Sequence, residues 1–132
     1  MSKESAIRWL KQAFHDLEAA EKNISINMFD VSAFLTHQSI EKLFKAILAF
    51  HGKSIPRTHN IDELATMISA SKEVTNLIED ISADYLVSRY PDMSEEIPFE
   101  QYDRELSTQK FNAAKQIFSL LKSAYSQLLE QQ

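Results

Sequence analysis

Hydrophobic residues in this chain recur at intervals of three and four over most of its length, as they do in helices that each bury one face. Near the start, Ile7, Leu10, Phe14, Leu17 and Ile24 fall on one stripe and predict a helix over about residues 5–24. Towards the end, Phe111, Ala114, Phe118, Leu121, Tyr125 and Leu128 repeat with near-heptad regularity and predict one long helix over about 106–130. The stretch from about 29 to 51 differs. With each residue turned by roughly 100°, Ala33, Ile40, Leu43, Phe44, Ile47, Leu48 and Phe50 spread over a wide arc, so this helix is expected at the centre of a bundle. The arc left over carries Gln38, Glu41, Lys42 and Lys45 side by side.

Punctuation between these segments is sparse. Gly52, the only glycine, is placed to stop the second helix in left-handed backbone. Asn60, followed three residues later by Glu63, has the form of a capping box and opens a short helix through Ile61, Leu64, Ala65 and Ile68. Val74, Leu77, Ile78, Ile81 and Tyr85 predict a further helix over about 72–88, while Pro91 and Pro98 make residues 89–103 the longest irregular stretch. The pattern predicts an all-α fold, an antiparallel up-and-down bundle of four main helices plus one short extra helix, formed by residues 1–132 as a single domain.

Composition narrows the chemistry. Zero cysteines excludes disulfides, thiolate catalysis and Cys-based zinc sites, and fits a reducing compartment. No uncharged stretch approaches the roughly 18 residues needed to cross a bilayer, so a cytoplasmic protein without membrane association is expected. A net charge of −5 and a pI near 5.3 exclude a protein that coats nucleic acid with its whole surface. Between Lys42 and His59, however, the formally charged residues are Lys42, Lys45, Lys53 and Arg57, a basic island on an acidic chain.

Ten residues, "HGKSIPRTHN" at 51–60, concentrate the candidates. His59 precedes the Asn60 cap, where outward N–H groups favour an anion, and Arg57 beside it adds positive charge. A neutral His59 would also suit proton transfer near pH 7, or would simply pack against the short helix. On the second helix, Gln38 and Lys42, and Glu41 and Lys45, are each four apart. They are either paired on the helix surface, or arranged so that Glu41 holds Lys42 and Lys45 towards a phosphate. His37 stands one turn before Glu41, a spacing that suits a metal, but its place beside Phe44 and Leu48 makes a hydrogen-bonded core histidine the expected role. His51 suits the negative end of its helix, and Arg8 and His15 are expected on the surface. Arg89 would cap its helix or offer a planar fork to phosphate; Tyr90 would stack on a base or fill the bundle end. With no Gly-rich phosphate loop, no converging carboxylates and no Ser–His–Asp order, neither a metal nor a cofactor is expected.

The succession "AFHDLEAAEKN", "FLTHQSIEKLFKAILAFHG", "RTHNIDELA", "YLVSRYPDM" and "FNAAKQIFSLLK" resembles the HEPN domain family over nearly the whole chain. The resemblance implies a homodimer with a cleft near its interface, and a role in nucleotide or RNA transactions. It also implies frequent pairing with a separately encoded minimal nucleotidyltransferase, often as a toxin–antitoxin module. It carries Glu41, Lys42 and Lys45 in "QSIEKLFK", His59 in "THN", and Arg89 and Tyr90 in "RYP" over as site residues. Family members that cut RNA without metal have an arginine followed after four to six residues by a histidine at the start of the last long helix. Here neither Arg89 nor Arg104 has any histidine after it, and the similar spacing of Arg8 and His15 lies on the first helix. Binding is therefore the expected activity, with metal-independent RNA cleavage or a ligand-free adaptor role as the alternatives.

Overall fold

The structure, a computed structural model, describes residues 2–82 and 97–130. Helices α1 (Ser2–Ser25) and α2 (Phe29–Phe50) form an antiparallel pair, followed by the short α3 (Ile61–Met67) and by α4 (Lys72–Ser82). A 3-10 turn (Pro98–Gln101) then leads into α5 (Arg104–Leu120) and α6 (Lys122–Leu129), with no strand among the described residues. Tyr85 and the rest of the expected helix beyond Ser82, to residue 88, lie outside the described residues.

Helix α1 packs along α2 through small side chains. Ala6, Ala13 and Ala20, seven residues apart, are all inaccessible together with Leu10. Methyl groups at the contact let the two helix axes approach closely. The expected stripe is thus displaced: Ile7, Phe14 and Leu17 lie half-buried against the core instead of at its centre. Helix α2 is central, as its wide apolar arc predicts, and touches every other helix among the described residues. Phe14 of α1 meets Phe118 and Tyr125 at ring-centroid distances of 5.3 and 5.8 Å, tying α1 to α5 and α6.

Three helices close with one motif, in which a left-handed residue turns its N–H back to the last turn. After α2, Gly52 at φ +70° bonds the Ala49 carbonyl at 3.0 Å and Lys53 bonds that of Leu48 at 3.0 Å. After α1 the same role falls to Asn27 (φ 64°), with Met28 bonding Asn23 at 2.8 Å, and after α3 to Ser69 (φ 55°), with Ala70 bonding Ala65 at 2.9 Å.

The long last helix expected over 106–130 is two helices. Leu121, at φ −96° and ψ 5°, breaks the ladder, and the buried Tyr125 hydroxyl donates to the Phe118 carbonyl at 3.1 Å. That bond satisfies an acceptor that the break takes out of the regular pattern. Among the described residues no helix is long and apolar enough to cross a membrane.

Candidate functional site

Midway along α2, Glu41 is 0% accessible. An ionised carboxylate left alone there would cost several kcal/mol, and two ammonium groups and an imidazole converge on it. Lys45 Nζ, from the next turn, donates to Oε2 at 2.9 Å, Lys42 Nζ approaches the same oxygen at 3.3 Å, and His59 Nδ1 meets Oε1 at 3.1 Å. Burial pushes the Glu41 carboxyl up, but hydrogen bonds from Lys45 and His59 and the charges of Lys42 and Lys45 outweigh it and hold the group below 4.5. Beside them lies Trp9 of α1, its ring centroid 5.6 Å from Lys42 Nζ and 5.5 Å from Lys45 Nζ, within cation–π range. Both expected pairs of the α2 strip form, with Lys42 Nζ donating to Gln38 Oε1 at 3.0 Å, but the Glu41–Lys45 pair is buried and is part of an internal ion cluster. Lys45 is 5% accessible. The Lys42 and His59 side chains, at 20% and 61%, are its solvent edge.

The ten-residue connector explains how His59 reaches α2. Gly52 turns the chain out of α2, and Lys53 Nζ reaches the Met67 carbonyl at 3.5 Å, at the negative end of α3. Asn60 caps α3 by accepting the Glu63 N–H at 3.1 Å. The capping box does not close directly. Thr58 Oγ1 accepts the Asn60 N–H at 3.0 Å and donates to the Glu63 carboxylate at 3.1 Å, so Thr58 relays the second half of the box. His59, held between these anchored neighbours, turns its ring back onto Glu41. Because an ionised carboxylate only accepts, Nδ1 carries the hydrogen of this bond.

The basic island is thereby divided. Lys45 serves Glu41, Lys42 is shared between Gln38 and Glu41, Lys53 serves the end of α3, and Arg57 is exposed with no hydrogen bond or ion pair among the described residues. His37 is in the core one turn before Glu41. Burial lowers its pKa to about 4, with the charges of His59, Lys110 and Lys42 reinforcing and Glu41 opposing, so it is neutral at pH 7. Lys110, also buried, donates from α5 to the Asp80 carbonyl at 2.7 Å. His51 and His15 are exposed. Among the described residues no three acidic or histidine side chains gather where they could hold a metal ion. Arg89 and Tyr90 lie outside the described residues.

Sequence reasoning passed over the α1 side of the site. Glu4, Ser5, Arg8, Trp9, Gln12 and Lys42 line an open groove of about 660 Å³ between α1 and α2. The available signal was Trp9 itself, a single large aromatic at the edge of a stripe whose buried members are mostly alanine.

The fold has known counterparts. TT1696 from Thermus thermophilus superposes with a TM-score of 0.82 at 20% identity, covering 90% of this chain and 97% of that one. ST0689, an archaeal HEPN homologue, superposes with a TM-score of 0.76 at 31% identity, covering 93% of this chain and 97% of the other. No curated protein sequence matches the chain. The family model for the HEPN domain matches residues 6–124. With that match, and a helical bundle shared with an HEPN homologue over almost its full length, the chain belongs to the HEPN domain family.

Proposed function

We propose that this protein binds the phosphate of a nucleotide or of RNA at the solvent edge of the Glu41 cluster, through Lys42 and His59. One observation carries the reading: a single buried carboxylate gathers two ammonium groups and an imidazole, more positive charge than it neutralises. Lys45 supplies the compensating charge inside, which leaves the Lys42 ammonium and the His59 imidazole at the edge where an anion would sit. In this reading Lys45 positions Glu41 and does not touch the ligand, Arg57 adds field from the connector, and Arg89 and Tyr90 are assigned to the ligand on the family resemblance alone. Family membership supports the wider assignment: a homodimer that serves a minimal nucleotidyltransferase in a toxin–antitoxin-like pair.

The test is a thermal-shift series with ATP, GTP, nucleoside monophosphates and short RNA at two salt concentrations. Ligand at 100 times its dissociation constant adds about 2.7 kcal/mol to stability. The expected rise is larger at low salt and disappears in Lys42→Glu. If no phosphate-bearing ligand raises the midpoint at low salt, the reading is wrong.

The Glu41–His59 hydrogen bond favours one second reading. A carboxylate that orients an imidazole is an arrangement suited to proton transfer, so in this reading His59 would act as general acid or base in RNA cleavage. That reading requires RNA fragments formed without added metal by the wild type and not by His59→Ala. An intact RNA pool at stoichiometric protein excludes it.

A further inference from the structure

We infer that the groove between α1 and α2 is a nucleobase pocket, where the heterocycle of a nucleotide or of an RNA terminus packs against Trp9 while its phosphate lies on Lys42 and Arg8. This rests on the phosphate-binding reading above and adds the part of the ligand that carries identity. At about 660 Å³ the groove has the size of a small-ligand site. Its walls combine two kinds of chemistry. Trp9 supplies an aromatic surface, half-buried and held from the α2 side by the Lys42 and Lys45 ammonium groups. Arg8, one residue earlier, is exposed and has no hydrogen bond or ion pair among the described residues.

The remaining walls are polar in a way that suits a nucleoside. Gln12 donates its amide nitrogen to Asp16 Oδ1 at 2.8 Å, and since Asp16 only accepts, the Gln12 carbonyl oxygen is the free end of that amide. Ser5 and Glu4 add a hydroxyl and a carboxylate, acceptors for sugar hydroxyls and exocyclic amines. A bare phosphate would leave the indole unused, and an apolar ligand would leave Arg8 unused. A base joined to a phosphate uses both, as in single-strand sites that pair stacking aromatics with cations. Lys42 belongs to the groove and to the Glu41 cluster alike, so the two halves of the ligand meet there.

Trp9 is the only tryptophan, so its emission reports on the groove directly. Wild-type protein would be titrated with AMP, ATP and a 5′-phosphorylated trinucleotide, with pyrophosphate as the phosphate source that lacks a base. The expected result is saturable quenching by the nucleotides and none by pyrophosphate, although pyrophosphate also raises the melting midpoint. Trp9→Leu, and Trp9→Phe to a smaller degree, should weaken nucleotide binding towards that of pyrophosphate. Loss of one stacked base corresponds to a change between about 5-fold and 150-fold. Arg8→Gln should weaken nucleotides and pyrophosphate together. Tighter binding of the trinucleotide than of AMP would identify an RNA end, and equal binding a free nucleotide. Stabilisation by nucleotides and pyrophosphate alike, without quenching, would overturn the base pocket and leave the phosphate site standing. Stabilisation by neither would overturn both.

Discussion

Mild acid should weaken this fold through His37. The folded protein holds His37 at about 4, against an ordinary value of 6.5. Between those values the unfolded chain binds a proton that the folded chain refuses, so stability rises with pH across the window and falls as the solution is acidified. At 1.36 kcal/mol per pKa unit the full effect is about 3 kcal/mol, of which about 2 kcal/mol is already lost at pH 5. That is a large share of the 5–15 kcal/mol typical of a domain. Glu41 acts in the same direction but lower. Its folded pKa lies below 4.5, so its contribution is complete above its unfolded value and is lost only as pH falls through the folded one. Urea unfolding at intervals between pH 7 and 5 isolates the histidine, and His37→Gln should flatten the curve there. In NMR spectra the His37 ring should stay neutral until about pH 4. A flat stability profile in the wild type, or a His37 ring that titrates near 6.5, would refute the reasoning.

Three local perturbations test other parts of the structure. Ser69→Gly should stabilise by about 1 kcal/mol, because Ser69 closes α3 in left-handed backbone that costs any side chain and glycine adopts freely; an unchanged urea midpoint would contradict it. Tyr125→Phe should destabilise by about 1–2 kcal/mol through loss of the hydroxyl that satisfies the Phe118 carbonyl at the α5–α6 break, and a melting curve that coincides with the wild type would deny that bond its role. Thr58→Val should cost about 1 kcal/mol by opening the relay at the α3 cap. It should also weaken phosphate binding, since His59 loses the anchored backbone that aims it at Glu41, and undiminished affinity would count against that positioning.

The helices were legible because each buries one face and the sequence repeats at that period. What escaped the pattern has specific causes. Alanine adds little to a hydropathic stripe, yet Ala6, Ala13 and Ala20 are what close contact between α1 and α2 requires, so the stripe was drawn one flank away. The end of α2 was marked by its glycine, whereas Asn27 and Ser69 take up the same left-handed backbone and carry no comparable mark. The break at Leu121 coincides with a bond from a side chain seven residues away from its acceptor. In the site, the wheel of α2 paired Gln38 with Lys42 and Glu41 with Lys45, as the structure has them, but gave no sign that Glu41 and Lys45 are buried. Their burial comes from Trp9 of α1 and the connector before α3, which fold over the strip from elsewhere in the chain.

An ion cluster in the middle of a core helix is a poor stabiliser, and that bears on why it is there. Desolvating Glu41 and Lys45 costs most of what their attraction returns, so an apolar pair of similar volume would hold α2 at least as well. Removing one partner is different. Glu41→Ala strands the Lys45 ammonium, 5% accessible, and should destabilise by about 3–5 kcal/mol. Glu41→Met combined with Lys45→Leu strands nothing and should restore stability to within about 1 kcal/mol of the wild type or exceed it. If the cluster exists to present Lys42 and His59 to an anion, the double variant will fold well and fail to bind phosphate. Should it be as unstable as Glu41→Ala, the ions are needed for the packing of α2 itself, and their convergence no longer argues for a ligand. Stability and binding measured on the same two variants therefore separate a cluster kept for function from one kept for the fold.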